Sequence, residues 1–339
     1  MCRVALWFGC FISYNNCFLG FIGHYGNRYA NLAVANTDCL IVLGSRLDER
    51  QIGGYQTKLA QDAKVIRVDI DKFELKRKFH EDVSICADVD CFLDNMLSQD
   101  FNNCNYEKWM NIVKTWKIRY PSYDEKPTVH NANNFIHALS DFLPPDAIIC
   151  GDVGQNQMCL AQSIKLDDSR RLINSAGYGS MGFSLPAAIG AAYATNKKTL
   201  IVSVNGDGGL QMNIQELHTL VRDKLPVNVI VLNNKCLGMI RKTQEKLYEN
   251  RNPVSVYGYS TPDYEKIATA YNIPYTRITS VADYTKLKEV FNINGPHFIE
   301  VDLPVEMDNY PEPGNVIDQQ TPQLTTEEIQ TIKKECNYD

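Results

Sequence analysis

The stretches TLIVSVNGDGG (residues 199–209) and VNVIVLNN (residues 227–234) decide the fold prediction. Each starts with a run of β-branched and apolar residues, which is typical of a fully buried strand in a parallel sheet, and each ends in small polar residues. The intervening residues 211–221 have helical periodicity, so the segment predicts a βαβ unit. In a right-handed unit both strands end at the same sheet edge, and Asp207 and Asn234 should therefore lie side by side.

This pair of polar residues predicts a metal site. Mg²⁺ takes six oxygen ligands, usually a few from the protein and the others from phosphates and water. The Asp207 carboxylate, the Asn234 amide oxygen and the backbone carbonyl of Cys236 would supply three of them. A lone GDG at a strand end is an ordinary tight turn and a lone NN an ordinary loop. The pair at this spacing is what favours a cation.

The glycines around Asp207 predict a phosphate site beside the metal. Gly206, Gly208 and Gly209 would let the backbone approach phosphate oxygens closely. The helix expected to begin at Gln211 would offer free N–H groups and its positive dipole end to the same anion.

Similar alternation along the chain predicts an α/β fold with two doubly wound parallel-sheet domains. The expected strands are 38–43, 64–70, 147–150, 199–204, 227–232, one around 275, and 297–301; the expected helices are 29–35, 52–61, 133–142, 186–194, 211–221, 238–248, 263–271 and 282–291. A polar and aromatic stretch separates the two regions. The predicted organisation is a central domain at 1–100, a helix and linker at 101–132, the phosphate- and metal-binding domain at 133–305, and a tail at 306–339 that forms a lid, an arm or a partly disordered segment.

Composition narrows the partners and the compartment. The 339 residues are 44% hydrophobic and 22% charged, with a net charge of −6 and no long basic run, which argues against nucleic acid and anionic membranes. The 11 cysteines include no C-x-x-C pair, which favours a reducing cytoplasm over a disulfide framework or a zinc site. The apolar segment Val4–Ile22 could be a signal or an anchor, but it is interrupted at Tyr14-Asn15-Asn16, which favours a buried segment.

Several further motifs resemble one enzyme group. The chain is similar to the acetolactate synthase group of thiamine diphosphate enzymes in GDVGQNQM (151–158), GYGSMGFSLPAAIG (177–190) and LNNKCLGM (232–239), and to the central domain of that group in GHYG (23–26), ANLA (30–33) and GSRLDER (44–50).

The resemblance implies a set of cofactor contacts. Asp207, Asn234 and the Cys236 carbonyl would hold Mg²⁺, and the thiamine diphosphate would meet Gln155, Gly179, Met181, Gly206, Gly208, Gly209, Gly238 and Met239. Gly179 and Met181 would contact the pyrimidine through backbone atoms. Met181 or Met239 would be the apolar residue that keeps the cofactor bent. The loop 44–50 would be the place for a flavin adenine dinucleotide, if one is bound.

The resemblance also implies a reaction and a partner. The family decarboxylates 2-keto acids such as pyruvate and joins the product to a second carbonyl, with the cofactor as electron sink. The activating glutamate of the family comes from a pyrimidine-binding domain that these motifs do not include, so we expect no catalytic residue in this chain. Either a partner polypeptide supplies that half, or the chain is a truncated, non-catalytic fragment. A homo-oligomer is expected, and Thr243 stands where the family carries a pocket tryptophan.

A nicotinamide-dependent dehydrogenase is the remote alternative. GYGSMG (177–182) matches G-x-G-x-x-G between a strand and a helix, and Asp207 follows at about the distance of a ribose-binding acid. In that fold the helix opens at the glycines, whereas Pro186 suggests a later helix start.

Overall fold

The computed structural model describes residues 17–53, 59–76, 81–99, 106–123, 130–166, 169–175, 177–314, 316 and 318–336. The described chain forms two compact units. The first comprises residues 17–122 together with residues 310–336, and the second comprises residues 123–309. Most of the segment Val4–Ile22, interpreted above as a buried segment, lies outside the described residues.

The first unit has a parallel sheet in the order β1-β2-β3. Its elements are α1 Arg28–Ala35, β1 Cys39–Leu43, α2 Glu49–Ile52, β2 Lys64–Asp69, α3 Lys72–Leu75, β3 Val83–Cys86, α4 Val89–Leu97, α5 Glu107–Arg119 and α14 Thr326–Cys336. The core contains Trp116 from α5 and Ile332 from α14. The indole N–H of Trp116 donates to Glu335 at 2.7 Å, so the tail contributes a helix to this core.

Both strands predicted in this unit are present, but the helix predicted at 52–61 is wrong in its described part. The helix α2 ends at Ile52, and its start is fixed by a capping box between Asp48 and Gln51. Residues 59–62 form a turn, and residues 54–58 are not described. The prediction missed α3, β3 and α4, none of which buries a residue fully.

The second unit has six parallel strands in the order β5-β4-β6-β7-β9-β8. Its elements are α6 Ala132–Leu139, β4 Ile148–Gly151, α7 Gln155–Ser163, β5 Arg171–Asn174, α8 Ser184–Ala194, β6 Ile201–Gly206, α9 Asp207–Leu210, α10 Leu217–Arg222, β7 Val227–Asn233, α11 Gly238–Leu247, α12 Tyr264–Ala270, β8 Tyr275–Ile278, α13 Lys286–Val290 and β9 His297–Asp302, with short 3₁₀ turns at Ile214–Glu216 and Val281–Thr285. The predicted fold class, two α/β domains built on parallel sheets, is confirmed.

The central strands explain where a ligand can bind. Every residue of β7 and all but the last of β6 are buried, as expected for parallel strands covered on both faces. From β4 the chain continues to β5 on one side and then returns to β6 on the other. Doubly wound sheets bind ligands at the carboxyl ends of the strands where the order reverses in this way. The β4/β6 boundary is that position here.

Two details of this unit differ from the prediction. The prediction missed β5 and α7. The helix expected at 211–221 is instead a turn, the 3₁₀ turn at Ile214–Glu216 and the short helix α10, while a separate short helix, α9, begins immediately after β6. The side chain of Asn213 donates to the Gly182 carbonyl at 2.7 Å, and this bond holds the turn between α9 and α10. The predicted helix start at Gln211 is therefore wrong, because helical backbone begins at Asp207.

The longest helix in the described part of the chain, α5, has 13 residues. None of the described helices has the length and apolar character needed to cross a membrane.

Candidate functional site

A cleft of about 160 Å³ opens at the carboxyl ends of β4, β6 and β7. The structure brings together ten of the predicted site residues in its walls: Gln155, Met181, Gly206, Asp207, Gly208, Gly209, Asn234, Cys236, Gly238 and Met239. Gly179 does not line the cleft, although it lies in the turn that precedes Met181. Its φ of 59° is in the left-handed region, where glycine is favoured.

Asp207 is buried at the base of this cleft, and its two carboxylate oxygens differ. Oδ1 accepts hydrogen bonds from the backbone N–H of Gly208 at 2.6 Å and from the hydroxyl of Tyr259 at 2.9 Å. Oδ2 is buried without a hydrogen-bond partner among the described residues. A buried, unpaired carboxylate oxygen is costly unless something else binds it.

Asn234 lies beside Asp207 because β6 and β7 are adjacent strands. Its amide nitrogen donates to the side-chain oxygen of Gln155 at 3.2 Å, which leaves the amide oxygen as the atom of this side chain able to bind a cation. The chain then turns sharply, since Lys235 has a φ of 56°, and buries Cys236 at the same edge. Asp207, Asn234 and Cys236 therefore lie together in the wall of the cleft at this sheet edge.

Close packing explains the glycines. A Cβ on Gly209 would lie 1.8 Å from Oδ2 of Asp152, and one on Gly208 would lie 2.6 Å from the Leu237 side chain. The glycines at this turn are therefore required by its packing against neighbouring side chains. The described residues contain no group of three or more His, Cys, Asp or Glu side chains that could hold a metal ion.

Burial also sets the electrostatics of the site. It raises the pKa of Asp207 to about 6, although the hydrogen bonds from Tyr259 and from the Gly208 N–H oppose the rise. Burial likewise raises the pKa of Asp152 to about 6, against hydrogen bonds from Phe183 and Gly182. Both carboxylates are therefore destabilised in their charged forms, and a bound cation would offset that cost at Asp207.

The glycine-rich turn at 177–182 does not have the geometry of a dinucleotide-binding loop. The helix α8 begins at Ser184, after the last glycine. The backbone N–H groups of Gly182 and Phe183 donate to Oδ1 of Asp152 at 2.8 and 3.1 Å. A protein carboxylate therefore occupies amides that a nucleotide phosphate would need, which argues against the dehydrogenase alternative.

The structure adds residues that the sequence prediction left out. Asp152 anchors the 177–182 turn, Tyr259 contacts Asp207, and Met307 forms part of the cleft wall. The carbonyl of Met307 accepts from Gln155 at 3.0 Å and from Arg241 at 2.9 Å. Asp152 could have been noticed from its place at the end of a strand, whereas Tyr259 and Met307 lie in loops without a sequence pattern.

Two other predicted positions lie away from the cleft lining. The exposed Thr243 donates its hydroxyl to the Met239 carbonyl within α11 at 3.0 Å, while Met239 and Ile240 form the wall. In the first unit, the loop 44–50 starts at Gly44, with a φ of 57°, and places the exposed Arg46 3.7 Å from Asp48.

Comparison with known proteins identifies both units. Residues 152–301 match the thiamine pyrophosphate enzyme C-terminal TPP-binding domain, and residues 8–96 match the central domain of the same enzymes. The chain is 34% identical over 311 residues to the acetolactate synthase large subunit of Cyanidium caldarium, an alignment that covers 89% of this chain and 52% of the relative.

Two other relatives agree with this assignment. The acetolactate synthase large subunit of Lactococcus lactis subsp. lactis (strain IL1403) is 35% identical, with 84% of this chain and 49% of the relative covered. The probable chloroplastic acetolactate synthase 2 of Oryza sativa subsp. japonica is 36% identical, with 84% and 46% covered. The chain spans about half the length of these relatives. Since the two domain models together match most of its residues, the chain belongs to the thiamine pyrophosphate enzyme family.

Proposed function

We propose that this chain binds thiamine diphosphate through Mg²⁺ in the cleft of the second unit. The observation that carries the proposal is the buried, unpaired Oδ2 of Asp207, which lies beside Asn234 in a cleft lined by Gly206, Gly208 and Gly209. In this arrangement Asp207, Asn234 and the Cys236 carbonyl would hold the cation. Gln155 and the glycines would line the diphosphate, and Met181 or Met239 would support the rings.

Calorimetric titration tests this binding. Thiamine diphosphate is titrated into the chain with Mg²⁺ and then with excess chelator, using the wild type, Asp207→Ala and Asp146→Ala. Asp146 is an exposed aspartate before β4, at the opposite edge of the sheet, and serves as the matched control. We expect binding that needs Mg²⁺, that Asp207→Ala loses and that Asp146→Ala keeps. Equal binding with chelator, or in Asp207→Ala, would refute the proposed site.

The reaction we propose is decarboxylation of a 2-keto acid such as pyruvate, followed by addition to a second carbonyl, as in an acetolactate synthase. The relatives named above support this class of reaction, and the bound cofactor would supply the electron sink. The residues of this chain would bind and orient the cofactor and line the place where the keto acid enters. The pyrimidine-binding half of the site is proposed to come from a partner in an assembly, as the resemblance implies.

The partner is proposed to cover the mouth of the cleft. Tyr178, Met181 and Met212 have relative exposures of 99%, 41% and 56%, and they lie on or beside the turn that forms one cleft wall. Exposed apolar side chains around a binding site suit contact with another protein surface. We assign that surface to a polypeptide carrying the pyrimidine-binding half, in a homo-oligomer or with a second subunit.

Flavin binding at the loop 44–50 stays a prediction from the resemblance. It is tested by the visible absorbance of the purified chain and by titration with flavin adenine dinucleotide, with Arg46→Ala as the variant. Yellow protein whose flavin affinity falls in Arg46→Ala would support the site, and absence of saturable binding would refute it.

A further inference from the structure

The cleft contains a tyrosine contact that lies outside the motifs of the cofactor site. The hydroxyl of Tyr259 donates to Oδ1 of Asp207 at 2.9 Å, and the ring is half-buried in the loop between α11 and α12. We propose that Tyr259 is a positioning residue for the metal: it fixes the Asp207 carboxylate so that Oδ2 faces the cation. This inference rests on the proposed function and deepens it.

The hydrogen bonds of Asp207 divide its two oxygens into separate roles. Oδ1 accepts from Gly208 and from Tyr259, so two donors on different segments fix the rotation of the carboxylate. Oδ2 has no partner among the described residues. A carboxylate with one saturated oxygen and one unpaired, buried oxygen is prepared to bind a cation through a single atom. Outer partners of this kind orient metal ligands in many proteins.

The loop that carries Tyr259 is fastened to the site. The backbone N–H of Leu237, a cleft residue, donates to the Ser255 carbonyl at 2.9 Å, and the buried Ser255 hydroxyl donates to Gln244 on α11. The side-chain nitrogen of Gln244 donates to the Pro253 carbonyl at 3.1 Å. These hydrogen bonds attach the loop to α11 and to the turn after Asn234. The loop can therefore hold the Tyr259 hydroxyl at a defined position.

The Tyr259 hydroxyl also lies close to the glycine-rich turn at residues 206–209. It is 3.2 Å from the position that a Cβ on Gly208 would occupy. The neighbouring Tyr264 contacts the same aspartate differently, since its hydroxyl donates to the Asp207 backbone carbonyl at 3.2 Å. Tyr264 thus holds the main chain and Tyr259 holds the carboxylate. A carboxylate-directed role predicts an effect of Tyr259 on metal affinity rather than on folding alone.

The test compares Tyr259→Phe with Tyr257→Phe. Phenylalanine keeps the ring and removes only the hydroxyl, and Tyr257 lies in the same loop with a relative exposure of 73%, which makes it the matched control. Mg²⁺ is titrated into each protein at a fixed, saturating concentration of thiamine diphosphate, and binding is followed by calorimetry. Circular dichroism and thermal unfolding without Mg²⁺ report the fold separately.

We expect the Mg²⁺ concentration at half-saturation to rise about 10- to 100-fold in Tyr259→Phe and to stay at the wild-type value in Tyr257→Phe. A purely structural tether would lower the unfolding temperature without moving the Mg²⁺ midpoint, and that result would overturn the inference while leaving the proposed function intact. Absence of Mg²⁺-dependent binding in the wild type would overturn the proposed function and this inference with it.

Discussion

Asp152 packs against Gly209 in the turn at residues 206–209 and joins that turn to the one that carries Met181. It is fully buried, and its Oδ1 accepts two backbone N–H groups while its Oδ2 stays unpaired among the described residues. Burial raises the pKa of this carboxyl from 3.8 to about 6. Between those two values the folded chain holds a proton that the unfolded chain has lost, so the contribution of Asp152 to stability falls as the pH rises through this range.

The Asp152→Asn variant should therefore flatten the pH dependence of unfolding in the cofactor-free chain. The pKa difference corresponds to a loss of about 3 kcal/mol of stability from Asp152 once the pH exceeds both values. Asparagine keeps the acceptor for Gly182 and Phe183 but does not ionise. Urea unfolding between pH 4 and 7 measures the slope, with the exposed Asp146→Asn as control. The pKa of Asp207 is raised as well, and its contribution to the pH dependence is the same in every variant. An unchanged slope in Asp152→Asn would therefore contradict the raised pKa assigned to Asp152.

At the scale of elements, two glycines in helical segments should respond to alanine in opposite ways. Gly190 lies on α8, is exposed, and has open space around the position of a Cβ. Gly209 lies on α9, where a Cβ would lie 1.8 Å from Asp152. We expect Gly190→Ala to raise the free energy of unfolding by about 0.5–1 kcal/mol. We expect Gly209→Ala to lower it by about 1–3 kcal/mol through overpacking.

Urea denaturation of both glycine variants at one pH gives this comparison. The two substitutions add the same methyl group, so the difference between them isolates the local surroundings. Equal changes in the free energy of unfolding of both variants would show that packing does not restrict position 209 to glycine.

The start of α11 provides a second test at this scale. A Cβ on Gly238 would lie 1.8 Å from the side-chain oxygen of Gln155, which accepts from Asn234. Because that oxygen ends a flexible side chain, Gly238→Ala should displace Gln155 while leaving the fold intact. We expect about 10-fold weaker binding of thiamine diphosphate, the order of one lost hydrogen bond to a charged group. Calorimetry in saturating Mg²⁺ measures it, and unchanged affinity would contradict a role for Gln155.

Long buried strands were predictable from sequence, and several short or exposed elements were not. Long runs of β-branched residues predict the buried strands β6 and β7, and the ends of these strands give the positions of Asp207 and Asn234. By contrast, β5 has four residues with only Leu172 fully buried, too short for its period to be recognised. The sequence did not predict the start of α9 at Asp207, because glycine has a low helix propensity. The packing around Gly208 and Gly209 nevertheless requires glycine.

Whole-molecule function depends on what the cleft contains and what it lacks. Among the described residues that line the cleft, Asp207 is the one acidic side chain, and its proposed task is to hold the cation. The strand-end residues could predict this pair of proposed ligands, because Asp207 and Asn234 follow adjacent parallel strands that end at the same sheet edge. It could not predict Tyr259, which reaches Asp207 from a loop 25 positions beyond Asn234.

The chain alone, supplied with thiamine diphosphate and Mg²⁺, should therefore not decarboxylate pyruvate faster than the free cofactor does. A positioned acid or base contributes about 10²- to 10⁴-fold to a rate. Among the described residues that line the cleft, the one acidic side chain is Asp207, the proposed metal ligand. Release of labelled CO₂ from carboxyl-labelled pyruvate measures the rate, first for the chain and then after addition of a separately expressed pyrimidine-binding domain from a related enzyme. We expect the addition to raise the rate at least 100-fold with the wild type and to have no effect with Asp207→Ala. Turnover by the isolated chain that the added domain does not change would mean that this half contains a catalytic group of its own.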